Sequence, residues 1–125
     1  MPAEGEKHIK EVKGLLYTTE YEFRPGRIRI EGDRIAEVDF STEGELSEVE
    51  RETLVLPGLV DVHFHGAAGY DFCDGTQEAY RAIEAYENIH GITSICPATM
   101  TLPVEQLKQI LTEVSGDKPD SLVGV

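Results

Sequence analysis

The chain is poor in basic residues, nearly free of cysteine and without a long apolar run. Eleven Lys and Arg stand against 24 Asp and Glu, a formal net charge of -13 over 125 residues. A field of that sign repels phosphate backbones and anionic lipid, which argues against nucleic acid or a membrane surface as a partner. It does not exclude an anionic small molecule, because a local pocket can oppose the global field. No apolar stretch approaches the ~20 residues that cross a bilayer, and residues 1–6 are acidic and polar, unlike a secretory signal. Cys73 and Cys96 lack Cys-x-x-Cys spacing, so free thiols in a cytoplasmic protein are expected, with Cys96 in the core.

What is present is globular in composition, 40% hydrophobic and 28% charged, and long enough for one ordinary domain. The acidic residues are dispersed except for Glu43, Glu45, Glu48, Glu50 and Glu52, which read as a solvated loop or exposed face.

Residues 1–56 read as β. Residues 14–18 form a strand candidate, and residues 21–23 a second one that ends at a Pro25–Gly26 turn. Residues 27–31 and 34–40 flank Gly32 and Asp33 as a hairpin, with Ile28 and Ile30 on a buried face and the arginines on a wet one. Arg27, Arg29 and Arg34 are expected to be exposed hairpin charges rather than an anion site. Residues 53–56 form a further strand leading into Pro57.

From Pro57 the rhythm changes to strand, helix, strand, helix, strand. Residues 58–63 are the first strand. Ala79, Ala82, Ile83, Tyr86 and Ile89 recur at three and four, which predicts a helix over 76–90, with Asp74 or Thr76 as N-cap and Gly91 as stop. Residues 92–96 form the second strand. Pro103 suits a helix start, and Val104, Leu107, Ile110, Leu111 and Val114 form one core stripe before Gly116. Residues 121–125 begin a third strand. Alternating strands and helices imply right-handed crossovers and a parallel sheet. Three such strands are the start of a barrel that takes ~250 residues when complete, so the chain is expected to be the N-terminal part of a longer protein.

The first strand of this half carries the candidate chemistry. Side chains at i and i+2 of a strand share a face, so His63 and His65 point one way while Val62 and Phe64 point the other. Two imidazoles converging where a strand meets a glycine-rich loop suit a metal ion; the competing reading is a pair that only makes hydrogen bonds. Asp61, one step deeper on the same face, is expected either to orient an imidazole or to turn to the surface. His90 closes a helix, where its charge complements the helix dipole, and His8 is expected at the surface.

Leu56-Pro57-Gly58-Leu59-Val60-Asp61-Val62-His63-Phe64-His65-Gly66 resembles the opening barrel strand of the amidohydrolase superfamily, and the β segment before it resembles that superfamily's small sandwich domain. Residues 66–74, the run His90-Gly91-Ile92-Thr93-Ser94 and Pro97-Ala98-Thr99 are similar to the N-acetylglucosamine-6-phosphate deacetylase family. The resemblance implies an α/β protein: residues 1–56 a small β-sandwich segment, residues 57–125 the first three strands and two helices of a TIM-like (β/α)8 metal-dependent hydrolase barrel, incomplete in this chain. It implies hydrolysis of N-acetylglucosamine 6-phosphate to glucosamine 6-phosphate and acetate, a divalent metal such as zinc or iron held in part by His63 and His65, an amino-sugar phosphate as small-molecule partner, and a homodimer for the full-length enzyme. The family's bridging glutamate, later histidine ligands, catalytic aspartate and phosphate-binding groups have no counterpart within residues 1–125, so the chain alone is expected to be inactive. Two rivals stand beside this reading: another amidohydrolase, dihydroorotase-like or isoaspartyl-dipeptidase-like, and a non-catalytic module whose exposed sheet edge pairs with another chain.

Overall fold

Antiparallel pairing dominates the first part of the chain, and a parallel strand pair anchors the second. A computed structural model describes residues 9–41 and 43–125; His8 lies outside the described residues. The chain divides into two compact units, Met1–Pro57 and Gly58–Val125.

In the first unit, β1 (Ile9–Tyr17), β2 (Phe23–Glu31), β3 (Arg34–Asp39) and β4 (Leu54–Val55) form one sheet in the order β3-β2-β1-β4, with β4 parallel to β1. The expected Pro25–Gly26 turn is absent: β2 runs straight through, with Pro25 opposite Leu15 and Gly26 opposite Gly14. Gly26 is buried because the Leu16 side chain lies over it, where a Cβ would meet Leu16 Cδ1 at 2.6 Å. The β2–β3 hairpin turns at Gly32, whose φ of 65° favours glycine. Its arginines are paired across the strands: Arg27 lies opposite Asp39 and bonds it at 3.0 Å, and Arg29 lies opposite Glu37, 3.2 Å away. The acidic run is no plain loop. It holds a short helix, α1 (Glu48–Glu52), started by a capping box in which Ser47 and Glu50 satisfy each other's backbone amides. None of its residues is buried.

In the second unit, β5 (Leu59–Asp61) and β8 (Ile92–Ile95) pair in parallel. Between them come a two-residue hairpin, β6 (Gly66–Ala67) and β7 (Tyr70–Asp71), and α2 (Gln77–Ile89). α3 (Val104–Gly116) follows β8. Thr76 caps α2 by accepting the Ala79 amide at 3.2 Å, and Gly91, at φ 82°, takes the chain out of the helix after His90. The third strand is reduced to one parallel bridge between Ile95 and Leu122. Around it Phe72, Tyr80, Ile83, Ile95, Ile110, Val114 and Leu122 form the core. The helix stripes differ from their reading: α2 buries Ala79, Tyr80, Ile83 and Glu87, while Tyr86 and Ile89 are exposed, and in α3 only Ile110 and Val114 are buried. Among the described residues no helix is long and apolar enough to cross a membrane.

Candidate functional site

The two histidines lie beyond β5, in the extended segment that follows it, and not within the strand. Phe64 between them packs against the core. That anchor preserves the alternation, so both imidazoles emerge together, exposed, with ring centroids 5.2 Å apart and planes at 85°. Asp61 does not orient either ring: its Oδ1 accepts the His63 backbone amide at 3.0 Å and so fixes the chain direction at the first histidine.

The loop after β8 holds the second histidine. Cys96 N donates to Asp61 O at 2.8 Å and Ala98 N to Phe64 O at 2.7 Å, extending the parallel pairing past the end of β5. His65 Nδ1 lies 2.9 Å from Ala98 O. A carbonyl oxygen only accepts, so Nδ1 carries the proton and the neutral ring keeps its lone pair on Nε2. Sequence reasoning missed this partner because it is a main-chain atom 33 residues away.

The glycine-rich stretch fixes the other side of the histidine loop. Phe72 N donates to His65 O at 2.7 Å. The β6–β7 hairpin closes through Ala68 and Gly69, both at positive φ (54° and 83°). Gly66 has no room for a side chain, since a Cβ would collide with the Tyr70 carbonyl oxygen. Asp71 and Asp74 then cap the 3-10 turn at residues 72–74, Asp71 taking the Cys73 amide at 2.7 Å and Asp74 the Asp71 amide at 2.9 Å. The turn drives Phe72 into the core at 2% exposure.

His90 is not brought to this pair as a ligand. It is the C-cap of α2, with Nδ1 2.8 Å from Tyr86 O and its ring centroid 4.4 Å from that of Tyr86, the planes tilted by 42°. Glu87, which the sequence did not place inside, is 5% exposed. Burial pushes its carboxyl up and the Asp61 charge pushes it further, with His90 opposing. The donors present suit a divalent metal in kind, two imidazoles of which one is tautomerically fixed, but they are a partial set. Among the described residues no group of three or more His, Cys, Asp or Glu side chains is placed to hold an ion.

No family model matches the sequence. The N-acetylglucosamine-6-phosphate deacetylase of Vibrio furnissii is 33% identical over 70 residues, which cover 56% of this chain and 18% of that protein. The chain resembles part of an N-acetylglucosamine-6-phosphate deacetylase. The human protein of that name is 24% identical over 123 residues, covering 88% of this chain and 30% of the relative. A crystal structure of the Pasteurella multocida deacetylase superposes with a TM-score of 0.69 at 18% identity, over 86% of this chain and 30% of that one. That likeness is one of fold. The chain thus spans between 18% and 30% of the length of these curated deacetylases.

Proposed function

We propose that this chain is part of a metal-dependent hydrolase that deacetylates N-acetylglucosamine 6-phosphate to glucosamine 6-phosphate and acetate. The observation that carries the reading is the His63–His65 pair, set side by side at the end of a parallel strand within a sequence similar to the deacetylases. His63 and His65 would supply two of the protein's ligands to a divalent ion. Such an ion, when bound, polarises the acetamide carbonyl and lowers the pKa of a coordinated water toward ~7. The chain's own contribution is positional. Asp61 fixes the His63 main chain, Ala98 sets which nitrogen of His65 is free, and the capped turn at residues 72–74 ties the loop to the core.

The barrel and sandwich readings belong to the same proposal. The parallel β5–β8 pair, the bridge from Ile95 to Leu122 and the intervening helices support an opening of a TIM-like (β/α)8 barrel in residues 57–125. The exposed Ile35 and Val38, which line a groove of about 210 Å³ with Leu16, Ile28 and Phe40, support a sandwich layer in residues 1–56, since an apolar sheet face calls for a covering layer.

A chimera tests the function. Residues 9–125 replace the matching segment of the Vibrio furnissii deacetylase, and acetate release from N-acetylglucosamine 6-phosphate is measured with zinc. Activity that disappears in the His63→Ala/His65→Ala version supports the proposal. A folded chimera without activity, beside an active parent, overturns it. The 125-residue chain assayed alone is expected to give no turnover above its own double-histidine variant.

A further inference from the structure

Three side chains on one side of α2 meet three positions further along the chain, in the same order. Gln77 Nε2 donates to Glu113 O at 2.9 Å, Arg81 Nη2 pairs with Asp117 Oδ1 at 2.8 Å, and Glu84 Oε1 accepts both the amide and the hydroxyl of Ser121 at 2.9 and 2.8 Å. Positions 77, 81 and 84 climb the helix by about one turn each, and positions 113, 117 and 121 advance with them. The last rung differs from the others in what lies behind it. Ser121 is 7% exposed, its carbonyl receives the Ile95 amide at 2.8 Å, and Val123 N returns a bond to Ile95 O at 2.9 Å. Leu122 between them enters the core.

We infer that Glu84 is a latch: it holds residues 121–123 in register on β8, so that docking of the third parallel segment is controlled from helix α2 and not from the strand itself. A three-residue segment carries few ladder bonds of its own, and a carboxylate accepting two hydrogen bonds is the strongest local constraint available to it. The other oxygen of Glu84 receives Arg81 Nη1 at 3.3 Å, so the charge is neutralised where it sits. The charged groups facing Glu84 are Arg81 on the same helix and, through Arg81, Asp117 in the following loop. Burial works to raise the Glu84 carboxyl, but the Ser121 bonds and Arg81 outweigh it and hold the group below its ordinary value. The latch is therefore closed at neutral pH and opens as acidification protonates Glu84.

Amide hydrogen exchange on the whole chain, read by NMR at neutral pH, tests the inference independently of any metal or substrate. In Glu84→Gln, which keeps size and loses charge, the neutral amide oxygen accepts the two Ser121 bonds more weakly and the Arg81 pairing is lost, so the Ile95, Ser121 and Val123 amides are expected to exchange faster by on the order of tenfold. Tyr80 and Ile83 in the same helix should keep their protection. Ser121→Ala, which removes only the hydroxyl, should accelerate the same three amides by less. Unchanged exchange at Ile95 and Val123 in Glu84→Gln would overturn the latch. So would an equal loss of protection throughout α2, since Glu84 would then support the whole unit and not the segment.

Discussion

The imidazole of His65 is held by the carbonyl of Ala98, a residue on the loop after a different strand, through a 2.9 Å bond to Nδ1. The neutral ring is therefore expected as the Nδ1–H tautomer, which nitrogen-15 NMR of the imidazole reads directly. Ala98→Pro deletes the amide that donates to Phe64 O and so loosens the loop without touching the histidine. The proportion of the other tautomer should rise in that variant. An unaltered tautomer ratio would mean that Ala98 does not set it.

Zinc affinity of the chain should be weak, because two imidazoles fall short of the three protein ligands a catalytic site supplies. Calorimetric titration is expected to show one low-affinity site that disappears in His63→Ala and in His65→Ala, and that survives in His90→Ala. Binding that depends on His90 would relocate the centre to the end of α2.

Tyr80 links α2 to α3: it is 1% exposed, and its hydroxyl donates to Ile110 O at 3.1 Å. Burial, with the charges of Glu113 and Cys73 adding to it, pushes the phenol up to about 12. In the unfolded chain it ionises near 10. Stability from this group is therefore complete below pH ~10 and is lost as pH rises toward 12. Tyr80→Phe should cost about 1 kcal/mol at neutral pH. The variant should also show a shallower decline in urea midpoint between pH 9 and 11.5 than the parent does.

Glu87 is expected to destabilise the second unit at neutral pH, since its carboxyl is raised first by burial and then by Asp61. A raised carboxyl favours the protonated form in the fold, so its contribution is full at acid pH and lost as pH rises. Glu87→Gln should raise the melting temperature at pH 7 and leave it nearly unchanged at pH 4. The reverse ordering would show that the charge is compensated.

Gly66→Ala forces a Cβ against the Tyr70 carbonyl in the β6–β7 hairpin. We expect a loss of about 1–3 kcal/mol, as for other overpacked sites, seen in chemical unfolding. Gly44→Ala, where nothing lies within 4 Å, should stay within ~0.5 kcal/mol of the parent.

Much of the chain was legible from local rules, because those rules act on neighbours in sequence. Thr76 and Gly91 mark the ends of α2, and Gly32 marks the hairpin, since capping and left-handed turns depend on a few adjacent residues. The buried arc of α2 was less legible. Tyr80 and Tyr86 both fit helical spacing, and the arc that packs inward takes in Glu87, an acid that hydropathy places outside. Pro25 and Gly26 read as a turn by their own chemistry, but they lie opposite Leu15 and Gly14 on β1, with the Leu16 side chain over Gly26, and a cross-strand partner is not legible in a dipeptide. The convergence of His63 and His65 followed from alternation. The Ala98 contact did not, because a carbonyl has no sequence identity to read.

The pairing of β8 with β5 on one side and with Leu122 on the other has a practical consequence for handling the molecule. Strand β8 is interior, but among the described residues β5 pairs on one side only, and it leaves Leu59 and Val60 at 57% exposure each, with Val123 and Val125 similarly open beyond the bridge. Mutual repulsion from a net charge of -13 keeps such surfaces apart in dilute buffer. Added salt shortens the reach of that repulsion to ~3 Å at 1 M, so concentrated stocks should be kept at low ionic strength, and light scattering should rise with sodium chloride before any unfolding is detected.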